Sequence, residues 1–381
     1  MKLSFIVPVY KPNVPTLEKC VRSLMSQSLS KDDFEVIFVL DGEDAEAKAA
    51  ITRNLDKKAT CKIEVISHGG ACKARNHGSS LAKGLYYSFF DCDCEIEVHA
   101  ATAWIETFEQ MPDVGFVYAD YKFSDIEDAI HSEEWDHWLL KVNNYVSCCY
   151  PMRKELFPGF DESLESLQDW DLWLTVAEKG GKGKRLAGYS FATLAPREDS
   201  ISGKGCTDEN WLKRRDVVTK KHGIKDKKVC VSAMGGRDSG MALAKMIDAD
   251  YRDQPTGKPH RYETIIQVGF SFDIEKVRFH ASVFSDKTVK NKILFWDRSS
   301  VEEAYTKVSR RALKEYSDSM VGKVRQFVED KASRKIMELC GFGTEVMPLP
   351  MPSVEVKEVP KVKKFLADVG PGYTDVMMAI D

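Results

Sequence analysis

The order of apolar and polar positions in the first part of the chain predicts alternating strands and helices. Leu3–Tyr10 and Phe34–Leu40 are nearly continuous apolar runs bounded by turn residues, the pattern of strands covered on both faces. Between them, Val14–Gln27 carries Leu17, Val21 and Leu24 at helical spacing. Ala45–Leu55 reads as a second helix and Lys62–Ser67 as a third strand. Gly69-Gly70 opens a turn into a helix that runs through Leu81. A further apolar run, Leu85–Phe90, ends at Asp91-Cys92-Asp93. Repeated strand–helix units of this kind imply a parallel sheet with helices on both faces. Ligands of such sheets gather at the carboxyl ends of the strands. Tyr10, Asp41 and Asp91 all fall at such ends, so three separate segments are expected to converge on one crevice.

A charged stretch around Lys220–Lys228 divides the pattern, predicting domains over 1–224 and 225–381. In the second part Val229–Met234, Thr264–Val268, Val277–Phe284, Lys292–Trp296 and Glu345–Leu349 read as strands. Gly235–Gly240 reads as a strand–helix turn leading into a helix over Met241–Ile247. Val301 to Cys340 is mainly helical, and Pro350–Pro360 is extended. The expectation is a second, Rossmann-like α/β domain.

Composition narrows the class. The 381 residues are 43% hydrophobic and 30% charged, with a net charge of −4. No apolar run approaches the ~20 residues a membrane helix needs. The apolar opening Met1–Pro8 is too short for a signal peptide and reads as the first strand. The ten cysteines follow no zinc-like spacing, and Cys92/Cys94 and Cys148/Cys149 sit too close together for ordinary disulfide or metal frameworks. Reduced thiols and a cytoplasmic location are therefore expected. Basic residues slightly outnumber acidic ones in the second domain. That excess falls far short of the basic stripe of a dedicated nucleic-acid binder.

The candidate chemistry centres on Asp91 and Asp93. Residues i and i+2 of a strand face one side, and two carboxylates so placed suit a hard divalent cation and a phosphate-bearing ligand. Alone the pair is also compatible with solvated strand-end acids. Arg75, at the start of the third helix, is placed where phosphate binds, though surface arginines are common. Asp41-Gly42 is also an ordinary turn pair.

Five segments in order resemble the family 2 glycosyltransferases of the GT-A fold: Phe5-Ile6-Val7-Pro8-Val9-Tyr10-Lys11-Pro12; Val39-Leu40-Asp41-Gly42; Gly69 through Gly78; Phe90-Asp91-Cys92-Asp93; and Gly159-Phe160-Asp161-Glu162 followed by Gln168-Asp169-Trp170-Asp171-Leu172-Trp173. The resemblance covers about residues 3–200. It implies a GT-A domain that moves a sugar from a nucleotide diphosphate donor, a UDP-sugar above all, to an acceptor hydroxyl with inversion. It implies Asp93 as ligand of Mn²⁺ or Mg²⁺, with Asp91 contacting the ribose and helping to hold the ion. Asp41 would accept from the uracil ring, Pro8, Val9 and Tyr10 would line the nucleoside pocket, and Arg75 would meet the diphosphate. Asp169 would be the general base, with Asp171 the rival carboxylate. Trp170 and Trp173 are read either as sugar-stacking platforms or as core.

Two departures from the family pattern stand out. A later metal ligand, often His, has no counterpart in Pro196–Ser202, where Glu198 or Asp199 are the substitutes. The Arg-Trp pair and membrane helices of processive synthases are absent from the sequence. The second domain weakly resembles the N-terminal half of a GT-B glycosyltransferase. It is expected to place the acceptor or build a homo-oligomer. The acceptor is left open among a saccharide, a lipid carrier, a protein and a modified nucleic-acid base. A nucleotidyltransferase and a catalytically inactive nucleotide-sugar-binding scaffold are the competing readings.

Overall fold

In the computed structural model of the chain, the residues described are 1–123, 129–130, 132–193 and 208–233, with 240–241, 244–245, 248–252, 262, 264–268, 291–297 and 376–380 of the remainder. The chain divides into two compact units, Met1–Ile224 and Lys225–Asp381.

The first unit opens as the apolar pattern predicts. Strand β1 spans Leu3–Val9, α1 Val14–Met25, β2 Phe34–Asp41, α2 Ala45–Asn54, β3 Thr60–Ile66, α3 Ala71–Leu81 and β4 Tyr86–Phe89. These four strands are parallel neighbours in the order β3-β2-β1-β4. Local chemistry starts the helices: the Asn13 side chain accepts from Thr16 N–H at the head of α1, and that of Asp44 from Ala47 N–H at the head of α2. Helix α3 instead begins at Gly70, whose φ of +91° only glycine adopts freely. Gly78 lets α3 lie close on the sheet. A Cβ there would stand 2.5 Å from Ile6 Cγ2 and 3.1 Å from Val39 Cγ2.

Beyond β4 the sheet departs from the all-parallel expectation. The further elements are β5 (Glu95–Ile96), α4 (Ala100–Gln110), β6 (Phe116–Phe123), β7 (Ala129–Ile130), α5 (His137–Val142), β8 (Met152–Arg153), α6 (Gln168–Glu178), β9 (Gly183–Thr193) and α7 (Asp208–Lys221). The path continues β4-β8-β6-β9-β5, with β7 on β6. Strands β5, β7 and β8 run antiparallel to their neighbours. The sheet is therefore mixed. Two-residue strands carry no periodicity from which a direction can be read.

The core is aromatic. Phe5 packs edge-on against Phe34 and Phe90 at 6.0 Å and lies 6.3 Å from Trp104. All four are fully buried. Burying such rings contributes on the order of 1.5–3 kcal/mol each. Trp170 and Trp173 belong to this core as well, 3% and 0% exposed, and Trp170 donates its indole N–H to Leu140 C=O at 2.6 Å. Of the two readings of these tryptophans, platform or core, their burial supports core.

In the second unit, β10 (Val229–Ala233), β11 (Asp250–Tyr251), β12 (Thr264–Val268), β13 (Asn291–Asp297) and β14 (Val376–Ile380) form a parallel sheet in the order β11-β10-β12-β13-β14. The expected strands over Val277–Phe284 and Glu345–Leu349, the turn at residues 234–239, the helical region 301–340 and the extended 350–360 lie outside the described residues.

Candidate active site

The register of the parallel strands brings the candidate residues together. Val9 pairs with Leu40, Asp41 with Ile66 and Ile6 with Phe89, so the segments leaving β1 to β4 emerge along one edge of the sheet. Tyr10 lies there, half exposed, and its ring stacks on that of His68 at 4.3 Å and 15°. Pro8 is partly buried. Val9 is 2% exposed and its side chain belongs to the core, so any contact it makes with a nucleoside runs through its backbone.

Asp41 is buried, and its carboxylate is already engaged. It accepts from Gly69 N–H at 2.7 Å and Gly70 N–H at 2.9 Å, and lies 2.8 Å from His68 Nδ1. It ties the end of β2 to the turn that starts α3. The side chain is 2% exposed, and these contacts reach both of its oxygens. Oδ1 accepts from Gly69 N–H, while Oδ2 meets both Gly70 N–H and His68, and the carboxylate has capacity for a further donor. His68, which the sequence reading passed over, is the exposed member of the group. Its place just after a parallel strand was the signal available.

Arg75 sits on the first turns of α3, 7% exposed. Its Nη2 donates to Asp91 Oδ1 at 2.8 Å, and its guanidinium lies 5.2 Å from the centre of the Phe160 ring. Its Nε is buried without a hydrogen-bond partner. A buried guanidinium N–H without an acceptor is costly. Burial opposes the charge, but neighbouring groups led by Cys148 and Asp91 keep Arg75 firmly protonated.

Asp91 and Asp93 occupy a turn rather than a strand. Strand β4 ends at Phe89, and Cys94 N–H bonds Asp91 C=O at 3.1 Å. The alternation argument is thus corrected, but the turn does the same job. Ligand atoms of Asp91, Asp93 and Cys94 all lie within 4.8 Å of one another. The donor set suits a divalent cation.

The segment carrying Asp169 is fastened by Asn76, one residue along α3 from Arg75. Asn76 accepts from Phe160 N–H at 2.8 Å and donates to Phe160 C=O at 2.9 Å and Glu162 Oε1 at 2.9 Å. The chain then enters α6 through Leu167, a non-glycine residue at φ +60°. Strain of this kind, on the order of 1–3 kcal/mol, tends to collect at functional sites. Asp169 follows, partly buried. One oxygen accepts from Trp170 N–H at 2.9 Å. Burial pushes its carboxyl above the ordinary carboxylate range. The Trp170 N–H, the positive charge of Arg75 and a hydrogen bond from Asn144 oppose that shift, and the charge of Asp91 adds to it. Asp169 therefore lies in the same field as Arg75 and Asp91.

Asp171 is spent elsewhere. It is buried and held by Lys221 at 2.8 Å and His222 Nε2 at 2.9 Å, while His222 Nδ1 meets Glu178 at 2.9 Å. Lys221 also reaches Asp161 at 2.8 Å. Neither Lys221 nor His222 could be placed from spacing, because both lie some fifty residues further along the chain. Glu198 and Asp199, the substitutes for a later metal ligand, lie outside the described residues. The described cysteines form no disulfide among themselves. Among the described residues no helix is long and apolar enough to cross a membrane.

Residues 4–157 match the family model described as Glycosyl transferase family 2. Curated relatives include a poly(ribitol-phosphate) beta-glucosyltransferase of Bacillus spizizenii. It is 31% identical over 107 residues, 27% of this chain and 17% of that protein. An uncharacterized glycosyltransferase of Bacillus subtilis, EpsJ, is 39% identical over 93 residues, 24% of this chain and 26% of its own length. A chondroitin synthase of Pasteurella multocida is 23% identical over 186 residues, 47% of this chain and 19% of that one. The chain thus spans about a fifth of the length of these relatives. Among solved structures, S. aureus TarS 1–349 in complex with UDP-GlcNAc aligns with a TM-score of 0.48 at 18% identity, covering 58% of this chain and 66% of that one.

Proposed function

With residues 4–157 matching glycosyl transferase family 2, we propose that the first unit is an inverting glycosyltransferase acting on a nucleotide diphosphate sugar, a UDP-sugar above all. The observation that carries this reading is the buried Arg75, with one N–H held by Asp91 and Nε open. It lies close enough to Asp169 to act on that carboxyl. Such a group would bind an anionic oxygen on one side of the crevice while a carboxylate waits on the other. That is the layout that in-line transfer of a sugar between a diphosphate and a hydroxyl requires.

Each residue then has a task. Tyr10 and His68 offer a stacked aromatic surface at the end of β1 for the base of the donor. Asp41 holds His68 and the Gly69-Gly70 turn in place. Arg75 directs its open N–H at the diphosphate. Asp91 and Asp93 would hold a divalent cation such as Mn²⁺ or Mg²⁺. When bound, that cation supplies positive charge to the departing diphosphate. Asp169 takes the proton of the acceptor hydroxyl as it attacks the anomeric carbon. Its other oxygen is anchored by the Trp170 N–H, which fixes the direction of approach.

Incubating the protein with UDP-sugars and a divalent cation, and weighing the released nucleotide by mass spectrometry, tests the reading. A nucleoside diphosphate, lost in Asp169→Asn, is the expected product. Sugar 1-phosphate, left when the uridylyl group is transferred, would instead mean nucleotidyl transfer. The second unit is proposed to place the acceptor or to support self-association.

A further inference from the structure

Asp169 is met by a side chain that none of the motifs marks. Trp170, the next residue, donates its indole N–H to Leu140 C=O at 2.6 Å, so the end of α5 lies against the start of α6. The chain leaving α5 is pinned there by its own turn. Asn143 N–H bonds Leu139 C=O at 2.9 Å. The Tyr145 hydroxyl accepts from Asp136 N–H at 3.0 Å and donates to Asp136 C=O at 3.1 Å, and Tyr145 C=O accepts from the Ser132 hydroxyl at 3.3 Å. Asn144 stands between these anchors, partly buried, and its side chain hydrogen-bonds Asp169. One orientation of its amide suits both neighbours. Oδ1 accepts from Val146 N–H at 3.3 Å, which leaves the Nδ2 donors for Asp169. An ionised carboxylate only accepts, so a flipped amide would set acceptor against acceptor on one side and donor against donor on the other.

We infer that Asn144 is the positioning residue of the base: its amide holds the Asp169 carboxylate in one orientation for the acceptor hydroxyl. This rests on the reading above that Asp169 is the base. With the Trp170 N–H at 2.9 Å and the Asn144 amide, two donors grip the carboxylate. A side chain free to swing by 1 Å loses on the order of 10²-fold in rate. A donor to the charged form also favours ionisation, against the burial that opposes it. The other charges around Asp169 come from separate elements. Arg75 on α3 favours the ionised form, and Asp91 after β4 opposes it. The Tyr121 hydroxyl on β6 is itself pushed up to about 12, by burial first and then by the Asp169 charge. Asp171 on the same helix is paired with Lys221 and His222.

The test is ¹³C NMR titration of the full chain labelled at its aspartate carboxyl carbons, with the Asp169 signal identified by its loss in Asp169→Asn. In Asn144→Ala the signal should titrate about one pH unit or more above its wild-type value, and higher still in Asn144→Asp, where a like charge replaces the donor. Release of UDP from a UDP-sugar should slow roughly 10-fold or more in Asn144→Ala at a pH where Asp169 is ionised. UDP affinity, measured by calorimetry with Mn²⁺, should stay at the wild-type level. In the wild type itself the Asn144 side-chain amide signals should shift at the pH where Asp169 titrates, which decides the matter even if a variant fails to fold. An Asp169 titration unmoved in both variants, or amide signals indifferent to it, would overturn the role of Asn144 and leave the base reading standing. So would a loss of UDP affinity as large as the loss of rate. An Asp169→Asn protein that turns over donor at the wild-type rate would bring down the base reading itself.

Discussion

Asp171 and His222 meet at 2.9 Å with both side chains almost wholly buried. Two residues away, Asp169 lies partly exposed in the field of Arg75. The helix thus divides two similar acids between two jobs. Positions i and i+2 of a helix face different ways, so Asp171 turns toward α7 and Asp169 does not. Asp171 is tied to the end of α7, whereas Asp169 is not held by that pair, consistent with the base role proposed for it.

Asp169→Asn should reduce kcat by on the order of 10²–10⁴-fold and leave the melting temperature near that of the wild type. Asp171→Asn should do the reverse, lowering stability by about 3–5 kcal/mol because a buried pair loses one partner. Steady-state kinetics and thermal melts on both variants check the division. A crippled but stable Asp171→Asn would reverse it.

The His222 network has a definite pH sign. Burial opposes protonation of His222, but its hydrogen bonds to Asp171 and Glu178 outweigh that effect and raise its pKa above 6.5. Lys221 shares Asp171 and also meets Asp161. A group whose folded pKa is raised stabilises fully below its unfolded value, and the contribution is lost as pH rises through the folded value. Chemical denaturation between about pH 6 and pH 9 should therefore show stability falling in the wild type. His222→Gln should be less stable at the lower pH and nearly flat across the range. A wild-type slope unchanged by the substitution would refute the assignment.

The base proposed above has a pH signature too. Burial raises the Asp169 carboxyl, so kcat should fall on acidification at a pH above the ordinary carboxylate value of about 4. The pH profile of kcat checks this, and a limb at or below the ordinary value would count against Asp169.

Arg75→Lys keeps the charge but loses the planar fork that holds Asp91 and is proposed to meet an anionic oxygen at the same time. Donor affinity, read by calorimetry with UDP and a divalent cation, should drop roughly 10-fold or more, on the scale of a lost charge-assisted hydrogen bond of about 1.5–3 kcal/mol. Asp93→Ala should abolish the metal-dependent part of the same binding signal.

Tyr10→Ala and His68→Ala should each weaken UDP binding by about 1–3 kcal/mol, the worth of an aromatic surface under a base. Binding of the ribose-free diphosphate group, measured with pyrophosphate, should change little. Equal losses for UDP and pyrophosphate would place the stack away from the base.

Much of this was legible in the sequence because it is local. Apolar runs in Leu3–Val9 and Phe34–Asp41 fix buried strands, and the helical spacing of Leu17, Val21 and Leu24 fixes α1. Parallel strands in turn carry Tyr10, Asp41 and Asp91 to one edge whatever the loops do. The candidate carboxylates could be named from their motifs for the same reason.

What only the tertiary structure decided depends on groups far apart in the chain. That the oxygens of Asp41 tie the end of β2 to residues 68–70 is visible only in the fold. Trp170 and Trp173 read equally as platforms or core until burial places them. Asp169 and Asp171 are separated by Lys221 and His222, which arrive from a helix that no periodicity ties to α6. Strand direction beyond β4 was likewise set by pairing. Spacing along a chain encodes which face a residue occupies, but the partner waiting at that face comes from another element. Only the folded chain brings that partner to hydrogen-bonding distance.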